Sequence, residues 1–207
     1  MVGLSHVALR QLVTRYLPSG ALTIWPTEML SSWRLPREEL GATPETRRGD
    51  EDPLVPQILG NEEAAIRDSV KKLVAWGAAG VDINMGCPVQ KALRHNYGVA
   101  LMGDARYAAE VVSMTARHSP VPVSVKLRAG LQNDLEFLKS FTKGLADAGA
   151  AWLTLHPRVA GLKRRGRADW SQIRDVREHV SVPVIGNGDV QTVQGVLEMI
   201  RLTGCDA

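Results

Sequence analysis

The chain has 207 residues, 44% of them hydrophobic and 23% charged, which is enough apolar material for one core of ordinary size and argues against disorder. Its 25 lysines and arginines against 22 aspartates and glutamates leave a net charge of +3, too small to name a partner, so local clustering carries more information. No apolar run approaches the roughly 18 residues that span a bilayer, no signal-peptide pattern opens the chain, and Cys87 and Cys205 lack CxxC or Cys/His spacing; the expectation is a soluble cytoplasmic protein whose cysteines act as thiols rather than in a disulfide or zinc scaffold.

In chain order, Leu9, Leu12, Val13 and Tyr16 share one face of a predicted helix over residues 5–17, and apolar runs follow at 22–25 and 54–59. Asn61 is a candidate cap for a helix striped by Ile66, Val70, Leu73 and Val74, with Gly77 suited to its C-terminal turn. A run at 81–85 precedes a helix over 107–117, and Pro120 and Pro122 mark the start of a strand over 121–127. The unit then recurs. Phe137, Phe141 and Leu145 lead to a strand at 152–155, Trp170, Ile173, Val176 and Val180 to one at 182–185, and a last helix carries Val193, Val196, Leu197 and Ile200.

Six strands separated by helices, each strand expected to be apolar on both faces, predict parallel βαβ units and an α/β fold. The chain opens into a helix and stops where another strand would begin. One more strand at each end would give the eight of a (β/α)8 TIM barrel, so residues 1–207 read as a single barrel domain, truncated at both ends; an open doubly wound sheet is the alternative. Residues 34–52, polar and charged with Pro36 and Pro44, read as a long surface loop with room for a short helix.

Polar residues gather at the predicted strand ends: Gln57, Asn84 with Cys87, Lys126 with Arg128, His156 with Arg158, and Asn187 with Asp189. A single such residue is usually a solvated turn. Five successive ones converge on the barrel mouth where active sites are built. Pro88 disfavours helical geometry at Cys87 and so predicts a thiol in a loop above its strand; a small buried hydrophobe is the plainer reading. A free thiol is mostly protonated at neutral pH, which suits a proton donor, and His95 is a candidate for activating it or for local hydrogen bonding. Lys126, ending an apolar strand, either reaches solvent or holds an anionic or electron-rich ligand. Gly186-Asn187-Gly188-Asp189 joins a strand to a helix, where free N–H groups favour phosphate, although such glycines are commonly turn residues and neither GxGxxG nor a Walker sequence is present. Lys163, Arg164, Arg165 and Arg167 form a basic patch that is either a solvated loop or a contact for a polyanion.

Taken together, Pro56-Gln57-Ile58-Leu59-Gly60, Asp82-Ile83-Asn84-Met85-Gly86-Cys87-Pro88, Val123-Ser124-Val125-Lys126-Leu127-Arg128, His156-Pro157-Arg158, Ala168-Asp169-Trp170 and Pro183-Val184-Ile185-Gly186-Asn187-Gly188-Asp189 resemble the tRNA-dihydrouridine synthase family in order and spacing over essentially the whole chain. The Asn84 to Pro88 segment is the most specific element. The resemblance implies an FMN enzyme that uses NADPH to reduce the C5=C6 bond of uridines in tRNA, with Cys87 as the acid. It also implies that Asn84 and Arg158 lie near the substrate, that Gln57, Lys126 and His156 contact the flavin, and that Asn187, Gly188 and Asp189 approach its phosphate end. Met1, Val2 and Gly3 resemble the end of the family's first-strand flavin motif.

Two departures are visible. The family's Thr-Arg after the His-x-Arg motif is Val159-Ala160 here, and a tyrosine of the following loop gives way to the basic stretch at 163–165. The family's glycine-arginine phosphate contact and its C-terminal helical RNA-binding domain have no counterpart. Two other readings stand beside this one: a flavin oxidoreductase for a free pyrimidine or other small enone, and a non-catalytic RNA-binding remnant.

Overall fold

The computed structural model describes residues 3–21, 23–163 and 165–207. Its strands are β1 (Trp25–Ser31), β2 (Leu54–Leu59), β3 (Val81–Met85), β4 (Val123–Arg128), β5 (Trp152–His156) and β6 (Val184–Gly186). They form one sheet in the order β1-β2-β3-β4-β5-β6, and every neighbouring pair is parallel. An order that never reverses has no switch point. It therefore excludes the doubly wound alternative and is that of successive units of a (β/α)8 barrel.

The helices are α1 (Val7–Thr14), α2 (Glu63–Ala75), α3 (Gln90–Arg94), α4 (Ala105–His118), α5 (Leu135–Asp147), α6 (Ser171–His179) and α7 (Val193–Thr203). From α2 through α4, α5 and α6 to α7 each packs on the next, the single outer layer that right-handed crossovers produce. Among the described residues no helix is long and apolar enough to cross a membrane.

The strands are not apolar on both faces. Alternate residues Val81, Ile83 and Met85, Val123, Val125 and Leu127, and Leu153 and Leu155 are buried in the core shared with the helices. The intervening positions are polar: Asp82 and Asn84, Ser124, Lys126 and Arg128, Thr154 and His156. Side chains alternate along a strand, so these all point to the side opposite the helices, the interior of the barrel. Register stacks them in rows, with Gln57 beside Asp82, Asn84 beside Lys126 and Arg128 beside His156.

Three expectations shift. The first strand begins at Trp25, where the expected run ends, because its polar residues are buried by hydrogen bonding: the Gln57 N–H donates to Thr27 Oγ1 and the Gly3 N–H to Glu28 Oε2. Asn61 does not cap α2. Its amide donates to the carbonyls of His95 and Asn96, and the helix begins at Glu63 with no side-chain cap. The loop over 34–52 holds a short 3-10 turn at Leu35–Arg37, but it also carries a buried ion pair, Glu51 with Arg10 of α1 at 2.8 Å.

Candidate active site

The C-terminal ends of the strands carry the site, as parallel topology requires. On β3 the Asn84 side chain folds back, and its Oδ1 accepts from the N–H groups of Gly86 (3.1 Å) and Cys87 (2.9 Å). This side-chain turn holds the Cys87 loop at the strand end, and the Cys87 carbonyl accepts from the Val99 N–H. The Asn84 amide donates to Gln57 Oε1 at 2.7 Å, and Gln57 Nε2 donates to Asp82 Oδ2 at 2.6 Å. Asp82 Oδ1 accepts from the Ser124 hydroxyl at 2.6 Å. Burial pushes the Asp82 carboxyl above its ordinary range, against the hydrogen bonds from Ser124 and Gln57 and the charge of Lys126.

Lys126 Nζ donates to Asn187 Oδ1 at 3.2 Å, tying β4 to the turn after β6. Burial lowers the pKa of its ammonium, Asp82 opposes that shift and Arg128 adds to it. Arg128 donates from Nε to the Gly86 carbonyl and from a terminal nitrogen to the Lys163 carbonyl, so it joins the Cys87 loop to the basic segment. Burial first and then the repulsion of Arg158 lower the pKa of its guanidinium, with Cys87 opposing.

His156 ends β5 with its pKa lowered to about 4, by burial first and then by Lys126, Arg128 and Arg158, with Asp189 opposing. Its Nε2 is buried without a hydrogen-bond partner, as is Nε of Arg158. Arg158 pairs with Asp189, whose other oxygen accepts from the Ala168 N–H at 2.6 Å. Asp189 has φ +58, and the Gly188 carbonyl accepts from the Trp170 indole N–H. A cavity of about 640 Å³ beside this turn is lined by Arg158, Arg167, Asp169, Trp170, Asp189 and Glu198, among others.

Contacts and charge thus bring together Gln57, Asn84, Cys87, Lys126, His156, Arg158, Asn187, Gly188 and Asp189. Gly3 is not joined to them by a described hydrogen bond, its N–H going to Glu28 on β1. Met1 and Val2 lie outside the described residues. The His95 ring stacks on Tyr97 with centroids 5.6 Å apart, and no described hydrogen bond joins its ring to Cys87. Sequence reasoning missed Asp82 and Ser124 as parts of the site; the signal was the period-two polar pattern shared with Asn84 and Lys126.

The model of the family described as dihydrouridine synthase (Dus) matches residues 1–207. The chain belongs to the dihydrouridine synthase family. The chain is 34% identical over 206 residues to "Probable tRNA-dihydrouridine synthase 1" of Synechocystis sp., covering 99% of the chain and 57% of that relative. It is 30% identical over 207 residues to tRNA-dihydrouridine synthase B of Pseudomonas aeruginosa, covering 100% of the chain and 61% of the relative. The chain therefore spans about six-tenths of the length of these relatives. A solved Pseudomonas aeruginosa chain titled "putative dihydrodipicolinate synthetase" matches with a TM-score of 0.51 at 17% identity, covering 69% of this chain and 47% of its own, a likeness of fold alone.

Proposed function

We propose that this chain forms the catalytic part of an enzyme that reduces the C5=C6 bond of uridine in cytoplasmic tRNA, with FMN as cofactor and NADPH as electron source. One observation carries the reading. The Asn84 amide holds the Cys87 loop at the same barrel end where Lys126 reaches Asn187 and His156 meets Gly188.

The residues fit a flavin. Lys126 supplies a cation on the inner face near His156, whose Nε2 is buried and unpaired, and the missing side chain of Gly188 lets its backbone lie against that imidazole. Gln57, Lys126 and His156 would hold the ring system, and Asn187, Gly188 and Asp189 the phosphate end, with Gly3 and the undescribed Met1 and Val2 assigned to the same motif. When bound, FMN supplies hydride chemistry, with electrons that arrive from NADPH leaving to C6 of the uracil. Cys87 delivers the matching proton to C5, so one hydride and one proton saturate the bond. The C4 carbonyl polarises that bond and makes C6 the electrophilic end. Asn84 and Arg158 would orient the base.

The target base must leave its stack to enter such a mouth. Lys163, Arg165 and Arg167 at the rim suit the RNA backbone and disfavour a small free enone as substrate. The test uses the complete gene product. Its visible spectrum is recorded before and after NADPH, and dihydrouridine in added tRNA and dihydrouracil formed from added free uracil are then quantified. Flavin bleaching with dihydrouridine in tRNA is expected; turnover of the free base alone, or protein without flavin, rejects the reading.

A further inference from the structure

We propose that Asp82 is a positioning residue that, through Gln57, sets which end of the Asn84 amide faces the Cys87 loop. The inference rests on the reading of Cys87 as proton donor and adds a residue for which that reading has no role.

Five hydrogen bonds form a chain, from Ser124 to Asp82, Gln57 to Asp82, Asn84 to Gln57, and from each of the Gly86 and Cys87 N–H groups to Asn84. The two ends determine the middle. At one end are backbone N–H groups, which can only donate, so Asn84 must present oxygen to them and its NH2 to Gln57. Gln57 then presents Oε1 to Asn84 and its own NH2 to residue 82, where only an acceptor satisfies it. Asp82 Oδ2 is that acceptor. The Ser124 hydroxyl can donate to or accept from Oδ1, so Oδ2 keeps its role in either protonation state.

Gln57, Asp82, Asn84 and Ser124 are all buried, so water does not replace a lost partner. Without an acceptor at residue 82, the buried Gln57 NH2 is left unpaired, so Gln57 shifts toward another acceptor and no longer holds the Asn84 NH2. Asn84 then loses its fixed orientation against the Gly86 and Cys87 N–H groups, and the turn that holds the thiol loosens. Asp82 reaches Asn84 only through Gln57, whereas its charge acts on Lys126, so a variant that keeps the acceptor and removes the charge separates the two effects.

The test separates acceptor from charge. Asp82→Asn removes charge but keeps an acceptor for Gln57, with the Ser124 hydroxyl turning to accept from its NH2. Asp82→Leu removes both. Asn84→Asp forces Gln57 to present its NH2 to residue 84 and its oxygen to the Asp82 carboxylate, and the added Asp82→Asn supplies the missing donor. The readout is the rate of iodoacetamide alkylation of Cys87 in the full-length protein, mapped by peptide mass, with buried Cys205 as internal control.

Asp82→Leu and Asn84→Asp are expected to speed Cys87 alkylation about tenfold, the scale of one net hydrogen bond. Asp82→Asn and the Asp82→Asn/Asn84→Asp pair stay within about twofold of the parent, as does Cys205 throughout. In Asp82→Leu, uridine reduction is expected to fall more than flavin reduction by NADPH does. Unchanged Cys87 alkylation in Asp82→Leu, equal gains at both cysteines, or an Asn84→Asp defect that Asp82→Asn leaves uncorrected overturns the proposal. If Asp82→Leu does not fold, the Asn84→Asp pair decides it. Alkylation does not depend on turnover, so a protein inactive on tRNA removes the functional reading without touching this result.

Discussion

Gly188 lies against His156 so closely that a Cβ on the glycine would stand 2.6 Å from His156 Cδ2 and 2.9 Å from Nε2. Gly188 also has φ +113, a conformation that L side chains rarely adopt, so the turn demands glycine on two separate grounds. Gly188→Ala is expected to cost about 1–3 kcal/mol of stability and to push the imidazole off its seat. Thermal unfolding read beside flavin fluorescence checks this; an unshifted midpoint with full flavin retention would contradict it.

The imidazole also makes stability depend on pH. His156 has its pKa lowered from 6.5 to about 4, so above pH 6.5 it is neutral in both folded and unfolded chains. Between 6.5 and about 4 the unfolded chain binds a proton that the folded chain refuses, and stability falls as the pH drops through that window. His156→Gln removes this contribution. The expected result is a shallower loss of melting temperature from pH 6.5 to 4 in the variant, and parallel curves would refute it.

Those two residues stand at opposite extremes of what the sequence makes readable. The strand ending in His156 announces itself through Leu153 and Leu155, and α2 through Ile66, Val70 and Leu73, because burying one face imposes a period. The spacing of Gly186 and Gly188 marks a turn but not the ring that one of them must clear. β1 escapes periodicity because Thr27 and Glu28 are buried through partners 30 and 25 residues away. Asn61 satisfies every compositional rule for a cap, yet a tertiary contact takes its amide. The inner polar row is written plainly as Asp82 with Asn84 and Ser124 with Lys126. Only sheet register reveals that Gln57 stands beside Asp82 and completes the chain of bonds.

A long-range partner of the same kind secures the first helix. Arg10 donates to Glu51 from Nε, to the Ser5 carbonyl and to the Arg47 carbonyl, and the side chains of both members of the pair are almost wholly buried. Arg10→Met leaves the buried Glu51 carboxylate without its counter-charge and with the Gly49 N–H as its described hydrogen-bond donor, at a cost of about 3–5 kcal/mol, whereas Arg10→Met/Glu51→Leu recovers most of it. Urea unfolding of the three proteins measures the difference. A double variant no more stable than Arg10→Met would sink the argument.

The basic segment acts by charge rather than by packing. Arg128 grips the Lys163 carbonyl at 3.1 Å, which fixes the start of the segment at the rim. Replacing Lys163, Arg165 and Arg167 together by alanine is expected to weaken tRNA binding and to make the slope of log affinity against log salt shallower by about 2–3. Binding titrations at several salt concentrations read that slope, and an unaltered slope would mean that these cations do not face the RNA.

The proton donor can be isolated by timing the two half-reactions separately. On the proposed reading, Cys87 is needed only when C5 of the uracil takes its proton, and reduction of the flavin by NADPH needs no acid at that position. Cys87→Ala is therefore expected to slow uridine reduction by about 10²- to 10⁴-fold, the range for a lost general acid, and to leave flavin reduction nearly untouched. Rapid-mixing absorbance follows the flavin in both directions, first with NADPH and then with tRNA. Because the Cys87 loop is held through backbone N–H groups, alanine keeps the Asn84 turn, and any loss belongs to the sulfur and not to the fold. Equal slowing of both half-reactions would instead make Cys87 a part of the flavin site.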